Sequence, residues 1–355
     1  MASMAVKERQ SNGELVRLLC MFMIVMHHFI VHALYTDTLG LKVYTWDQQL
    51  VLAFHCFIYI GVNCFVLLSG WFSIRLKPRS VLNLWLICLF YAILGFIEIV
   101  IGNAVLEKGV DLFSWKYICP VLFPFSNTER WFIVCYVALM LFSPVLNAAI
   151  DTFDQRKFRW ALILSSVMSI WFGYLWQVEQ MNPSGYTTIQ FFWLYLIGAY
   201  LRRYCSADWL KLHRYHCAGL YVICSILWGV LTMLDAHFGQ MPFWYPFTYC
   251  NPLVMGASIG FFLFMMSFEF KSRIVNWLSA SVLAVYLVQE GLFRYHWLSD
   301  YSCQWSSVFK ILLVPVLSIG FMLAVLLLDK IRILLMKPVF RFYDGYLEPK
   351  ISRYN

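Results

Sequence analysis

The sequence predicts an all-α, polytopic membrane protein of about ten transmembrane helices, with both termini in the cytoplasm. Of its 355 residues, 61% are hydrophobic and only 13% are charged, which is too apolar for a soluble domain. The apolar residues gather into runs that approach the ~20 residues a helix needs to cross a bilayer. The positive charges between the runs are distributed unequally, and this asymmetry predicts the orientation.

The ten apolar runs follow one another along the whole chain, so we expect residues 1–355 to form a single membrane domain. We place the spans near residues 15–35, 49–74, 80–102, 130–150, 158–176, 187–203, 214–234, 250–269, 276–294 and 308–329.

Lysine and arginine decide the orientation of these spans. With the N-terminus in the cytoplasm, 21 of the 27 basic residues fall on the cytoplasmic side and 6 on the other. Such a bias obeys the positive-inside rule. The net charge of +8 is therefore a topology signal, and we expect a membrane lipid environment and no nucleic-acid partner.

The first span combines an arginine with three histidines. At 100° per residue, Arg17 and His28 lie about 20° apart around the helix axis and, at 1.5 Å per residue, about 16 Å apart along it. His32 follows on the same stripe, whereas His27 points to roughly the opposite flank. Ionisable groups within a span usually face the bundle interior or a water-filled cavity, so the stripe is a candidate site. The alternative is that Arg17 snorkels to the interface and that neighbouring helices satisfy the histidines.

The second span contains small and polar positions and ends in a basic cluster. The small and polar positions are Asn63, Ser69 and Gly70. The basic residues that follow them are Arg75, Lys77 and Arg79. Small residues allow close helix packing, and the basic cluster is typical of a positive-inside anchor. The functional alternative is a phosphate-binding cluster, because guanidinium groups bind phosphates bidentately.

Two connections on the outer side, 103–130 and 235–250, are rich in aromatic residues. They predict an interfacial aromatic belt or, alternatively, a stacking platform for a sugar or lipid-linked substrate. The eleven cysteines lie mostly within apolar runs and show no spacing typical of a metal site, so we expect no metal.

Five stretches carry motifs that follow one another along nearly the whole chain. They are Arg17 followed after ten residues by His28, the run CFVLLSGWF at 64–72, Trp131 and Phe132 in a helix ending in the Pro-x-x-Asn of 144–147, WLYLIGAY at 193–200, and SVLAVYLVQE at 281–290. In this order they resemble the motifs of the acyltransferase-3 family of membrane O-acyltransferases, which modify glycans.

The resemblance implies transfer of an acyl group, acetyl in the first instance, from acyl-CoA to a hydroxyl of a cell-surface or exported glycan. His28 is expected to act as catalytic base or acyl carrier. Residues expected to bind CoA or substrate are Arg17, Arg75, Arg79, Ser69, Asn63, Trp131 and Glu290. Acetyl-CoA is then a donor substrate rather than a resident cofactor, the acceptor is a glycan or lipid-linked saccharide, and the protein is expected in the inner (cytoplasmic) membrane.

The last of these motifs departs from the family pattern. The family usually carries histidine where this chain has Gln289, and glutamine cannot act as a general base. The neighbouring Glu290 is an acid within a span and hence a functional candidate.

Two other classes of function stay open at this stage. A transporter or flippase for a lipid-linked polysaccharide would use the polar stripe to line a pathway, although the two halves of the chain show no matching repeats. A membrane scaffold or sensor would leave the Arg17–His28 stripe without a chemical role.

Overall fold

The computed structural model describes residues 10–34, 46–105, 111–125, 130–238, 241–242, 244–289, 298, 302 and 305–348. Within these ranges the regular secondary structure is helical and contains no strand. The α-helices are α1 Asn12–His28, α2 Trp46–Ile58, α3 Gly61–Phe72, α4 Pro78–Val105, α5 Trp115–Leu122, α6 Trp131–Thr152, α7 Gln155–Ser166, α8 Thr188–Tyr204, α9 Ala207–Leu212, α10 Arg214–Phe238, α11 Pro252–Met266, α12 Arg273–Ser279, α13 Val282–Gln289 and α14 Ser307–Phe342. Segments of π-helix continue three of them: Phe29–Leu34 after α1, Val167–Leu175 after α7 and Tyr343–Leu347 after α14.

Seven helical segments in the described residues are long and apolar enough to cross a membrane. They are Asn12–His32, Gln49–Phe72, Pro78–Val105, Trp131–Thr152, Gln155–Leu175, Arg214–Phe238 and Ser307–Leu347. The prediction of an all-helical, multi-pass membrane protein is thereby confirmed. The orientation of the termini stays a prediction.

The other three predicted spans coincide with shorter helices. The span placed at 187–203 corresponds to the 17-residue α8, and the one at 250–269 to the 15-residue α11. The span placed at 276–294 overlaps α12 and α13, and its last residues lie outside the described ranges. The count of ten therefore also stays a prediction.

Helix α1 lies at the centre of the bundle. It contacts α2 and α3 on the chain's N-terminal side and α11, α12, α13 and α14 from the C-terminal half. Gly61 lets α3 approach α1 closely, since a Cβ at this position would lie 2.7 Å from the Cys20 carbonyl oxygen. The side chain of Glu14 on α1 is therefore buried, His27 and His28 are half-buried, and Arg17 stays 36% exposed. Such surroundings suit ionisable groups, which are costly in hydrocarbon.

Helices α3 and α8 make the tightest approach among the glycine contacts described. A Cβ at Gly70 would lie 2.1 Å from the Tyr195 carbonyl oxygen, and one at Gly198 would lie 2.2 Å from the Leu67 carbonyl oxygen. Backbone therefore meets backbone at both glycines, as is common where membrane helices pack through small residues.

We predict that Gly70→Ala destabilises the protein, because the added methyl group overlaps a backbone carbonyl that cannot rotate away. Overpacking of this kind costs ~1–3 kcal/mol or more. Gly219→Ala is the matched control, since a Cβ there meets nothing within 4 Å. It should be neutral or stabilising by up to ~1 kcal/mol because it removes a glycine from a helix. Thermal unfolding of both variants in detergent is the measurement, and equal melting temperatures would contradict the close approach.

Candidate active site

A large cavity opens at the end of the bundle where α3 finishes and α4 begins. Its volume is about 870 Å³, and α14 closes it from the far side. Six of the described cationic side chains line it: Arg17, Arg75, Arg79, Arg332, Lys337 and Arg341. Among the lining residues that the structure describes, Asp344 is the one carboxylate. We call this space the basic cavity, and its charge suits an anionic ligand.

A hydrogen-bonded turn holds the end of α3 at this cavity. The Ile74 amide donates to Tyr195 Oη over 3.0 Å, and the Asn147 amide donates to the Ile74 carbonyl over 2.8 Å. Tyr195 Oη in turn donates to Asn147 Oδ1 over 2.6 Å. Ser73, with φ of 56°, reverses the chain just before this turn and so places Arg75 on the cavity wall.

Three of the six cations are paired with carboxylates: Arg17, Arg79 and Arg332. Arg79 makes two hydrogen bonds of 2.7 and 3.1 Å to Asp344, and its guanidinium also lies over the Phe340 ring. Arg332 makes two of 2.6 and 3.0 Å to Asp329, which is fully buried. The first pair joins α4 to the continuation of α14. The second lies within α14 and fixes the direction of Arg332.

Arg17 stands where the basic cavity meets a second, smaller cavity. Its Nη1 lies 2.9 Å from both carboxylate oxygens of the buried Glu14, one turn earlier on α1. The two cavities share five lining residues: Arg17, Ser69, Tyr136, Ala280 and Leu283. They therefore adjoin, with the Arg17 guanidinium at the junction.

The smaller cavity, which we call the histidine cavity, has a volume of about 230 Å³ and leads towards the middle of the bundle. His27 and His28 both line it. Its aromatic lining consists of Phe65, Trp131, Phe132, Tyr136, Tyr186, Tyr249 and Tyr286. Apolar walls lower the effective dielectric around the two imidazoles, so hydrogen bonds and charges act more strongly there than in bulk water.

The imidazoles form a short row across α1 and α2. The rings of His27 and His28 are 5.1 Å apart, and His27 Nδ1 lies 2.6 Å from His55 Nε2. The expectation that His27 faces away from the His28 side was too strict. Adjacent side chains on a helix differ by only about 100° in direction, so one cavity touches both.

Gln289, at the end of α13, is the side chain that faces His28 from the C-terminal half. It is 2% exposed, and neither polar atom of its amide completes a hydrogen bond of normal geometry with the described residues. Gln289 lines neither cavity, so its amide contacts His28 from the protein side and not from the ligand side.

A buried amide network shapes the outer wall of the histidine cavity. The side-chain amides of Asn63 and Gln190 both donate to the Tyr249 carbonyl over 3.0 Å, and Asn182 donates to Gln190. Tyr249 is thereby held with its ring stacked on Tyr59 at 4.6 Å. Part of the aromatic connection 235–250 thus folds into the core and does not form a belt.

Six of the eight site residues predicted from the sequence line one cavity or both. His28 and Trp131 line the histidine cavity, Arg75 and Arg79 line the basic cavity, and Arg17 and Ser69 line both. Asn63 is fully buried in the amide network and lines neither cavity. Glu290 lies outside the described residues.

The structure adds residues that the sequence did not single out for this site. Helix α14 contributes three cations to the basic cavity: Arg332, Lys337 and Arg341. His55 reaches His27 from α2, although nothing in its local sequence marks it. Within the described ranges, no group of three or more His, Cys, Asp or Glu residues is arranged to hold a metal ion.

A family model described as an acyltransferase domain, that of the acyltransferase-3 family, matches residues 13–330. The chain belongs to this family. The match covers the whole lining of the histidine cavity and part of the lining of the basic cavity, whose residues from Arg332 to Asp344 lie beyond it. It indicates membrane acyltransferase activity. No curated protein and no solved structure matches the chain.

We predict that Asp329→Ala lowers the stability far more than Asp344→Ala. Both carboxylates pair with an arginine at the basic cavity, but the side chains of Asp329 and Arg332 are 0% and 5% exposed, against 43% and 48% for Asp344 and Arg79. Removing one partner of a buried pair costs ~3–5 kcal/mol, whereas an exposed pair contributes at most ~1 kcal/mol. Thermal unfolding in lipid nanodiscs compares the two, and equal losses would show that Arg332 is solvated.

Proposed function

We propose that this acyltransferase moves an acyl group, acetyl in the first instance, from acyl-CoA to a hydroxyl of a cell-surface or exported glycan. The observation that carries the proposal is the junction of the two cavities. A cationic space and a space with two imidazoles adjoin at Arg17, so an anionic carrier can stay at one while its reactive end reaches the other.

Acyl-CoA fits this pair of spaces in charge and shape. Its phosphates require cations, and guanidinium groups bind them bidentately. Its thioester lies at the end of a long, narrow arm, which suits a passage into the smaller cavity. With the basic end of the bundle facing the cytoplasm, as the positive-inside rule favours, the donor enters from the compartment that contains it. In a bacterial cell this is the cytoplasmic side of the inner membrane.

His28 is the proposed catalytic residue. A neutral imidazole can take the proton from the acceptor hydroxyl as its oxygen attacks the thioester carbonyl, and can return that proton to the departing thiolate. The alternative is that His28 Nδ1 or Nε2 first accepts the acyl group and then passes it to the hydroxyl. In the first route His28 must reach the acceptor hydroxyl, and in the second it must reach the thioester carbon. Its place in the histidine cavity is suitable for both.

The acceptor would approach the aromatic end of the histidine cavity. Trp131, Tyr186 and Tyr249 lie there, with the Trp131 and Tyr186 rings 4.7 Å apart. Aromatic faces of this kind can cover the apolar face of a sugar while Tyr hydroxyls bind its polar groups. A glycan or lipid-linked saccharide is therefore the acceptor class we propose.

We predict that His28→Ala abolishes transfer, because neither the base nor the acyl carrier remains. The measurement is movement of radiolabel from acetyl-CoA to glycan in membranes that contain the variant. The protein should still insert and fold, as shown by its yield and elution profile in detergent. Activity near that of the wild type would overturn the assignment, and glycan movement across the membrane without acylation would favour a transporter.

We also predict that Arg75→Gln raises the KM for acyl-CoA about tenfold with little change in kcat. A hydrogen bond to a charged group is worth ~1.5–3 kcal/mol. Arg75 lines the basic cavity and not the histidine cavity, so its loss should affect donor binding more than the chemical step. Arg159→Gln is the matched control, because Arg159 is an exposed arginine whose Nε contacts Tyr200 outside both cavities. Equal KM values for the two variants would show that the donor does not use the basic cavity.

A further inference from the structure

The proposed chemistry uses one imidazole of the histidine cavity, and a second one lies beside it. His27 also lines the cavity, and its Nδ1 faces His55 Nε2 at 2.6 Å. His55 itself is fully buried on α2 and does not line the cavity. Of this pair, only the His27 ring can therefore contact a ligand in the cavity, and the His55 ring lies behind it.

The surroundings of this pair favour two neutral rings. Tyr59 places its ring edge-on to both imidazoles, at 5.3 and 5.6 Å, and Phe247 stacks on His55 at 4.6 Å. A cationic imidazole enclosed by aromatic rings inside a membrane protein is costly. Two neutral rings at this distance share a single hydrogen between the facing nitrogens.

The remaining nitrogen of His55 indicates which ring donates that hydrogen. His55 Nδ1 is buried and has no hydrogen-bond partner in the part of the chain that the structure describes. A buried N–H without an acceptor is rarer than a buried acceptor without a donor. This favours the His55 tautomer in which Nδ1 is unprotonated and Nε2–H donates to His27 Nδ1. His27 then carries its own hydrogen on Nε2, the nitrogen that His55 does not occupy.

We propose that His27 is the hydrogen-bond donor for the thioester carbonyl oxygen and that His55 is the positioning residue that fixes its tautomer. The inference rests on the proposed acyl transfer. As the hydroxyl oxygen attacks the carbonyl carbon, its proton goes to His28 and the carbonyl electrons move onto the oxygen. That oxyanion accepts a hydrogen bond from His27 Nε2–H. On collapse the C–S bond breaks, and His28 returns the proton to the thiolate.

The placement of the two rings fits this division of roles. Their centroids are 5.1 Å apart and their planes are inclined by 46°, and both rings line the histidine cavity, so one reacting group in that cavity can contact the edges of both. A base and an oxyanion donor each need to lie about 3 Å from different atoms of the same reacting group. Adjacent positions on α1 supply both from one helix.

The test compares two substitutions at His27. His27→Leu removes the donor and should lower kcat about 10²- to 10³-fold, the usual effect of losing one oxyanion donor, with KM for acetyl-CoA changed less than about threefold. His27→Gln keeps an amide N–H that can reach the position of Nε2, so its kcat should be at least about tenfold higher than that of His27→Leu. A base would not be rescued in this way, since an amide cannot accept the proton.

His55 is tested by the same logic. The amide of His55→Gln can still donate to His27 Nδ1, so this variant should keep a higher kcat than His55→Leu. In His55→Leu nothing donates to His27 Nδ1, and His27 can carry its hydrogen on either nitrogen. Tyr221→Phe is the control, because it removes a buried hydrogen bond of 2.8 Å to the Phe57 carbonyl at a residue that lines neither cavity. It should keep the wild-type kcat.

A spectroscopic measurement on the unmutated protein keeps the proposal testable if these variants fold poorly. In protein labelled with ¹⁵N-histidine in bilayers, His27 should show a protonated Nε2 and a bare Nδ1, and a protonated His27 Nδ1 would overturn the proposal. A wild-type kcat for His27→Leu, or no rescue by His27→Gln, would also overturn it while leaving the role of His28 intact. A wild-type protein that transfers no acyl group would instead overturn the proposed function.

Discussion

The structure depends on keeping an arginine and several imidazoles of one helix away from lipid. Helix α1 carries Arg17 and His28 about 16 Å apart along its length, a distance of three turns. Such groups are tolerated within a membrane only where protein or water surrounds them. Helices from both halves of the chain pack around α1 for this reason, and the close approaches at Gly61, Gly70 and Gly198 make that packing possible. The two cavities are the space that these helices leave beside the polar stripe.

Much of the fold could be predicted because hydrophobic runs of membrane length are a strong signal. All ten expected spans overlap helices, but three of them fall outside the seven helical segments that are long enough to cross a membrane, since composition does not show where α11 or α13 ends. The stripe from Arg17 to His28 could also be predicted, because both residues lie on one helix and follow its periodicity. The spacing of residues within one helix does not show which other helices pack against it.

The parts of the site that depend on contacts between distant segments could not be predicted. His55 meets His27 only because α2 packs beside α1. Arg332 joins the basic cavity only because α14, from the other end of the chain, lines the same space as the start of α4. Asn63 looked like a substrate contact because it is polar within a span. In the structure its amide binds the Tyr249 carbonyl, so it shapes the wall of the cavity from behind. The sequence marks Asn63 as polar within a span, but it does not show which group the side chain contacts.

The charges at the basic cavity indicate which cations remain for a ligand. Carboxylates hold Arg17, Arg79 and Arg332, while no ion pair within the described residues reaches Arg75, Lys337 or Arg341. The first three groups keep the walls in place and orient the junction, because each pair joins or stiffens helices at the cavity. The last three provide a net positive charge in a space of about 870 Å³, and a polyphosphate donor would neutralise it. An anionic donor of the kind proposed above can therefore bind to these three cations while the ion pairs of Arg17, Arg79 and Arg332 stay intact.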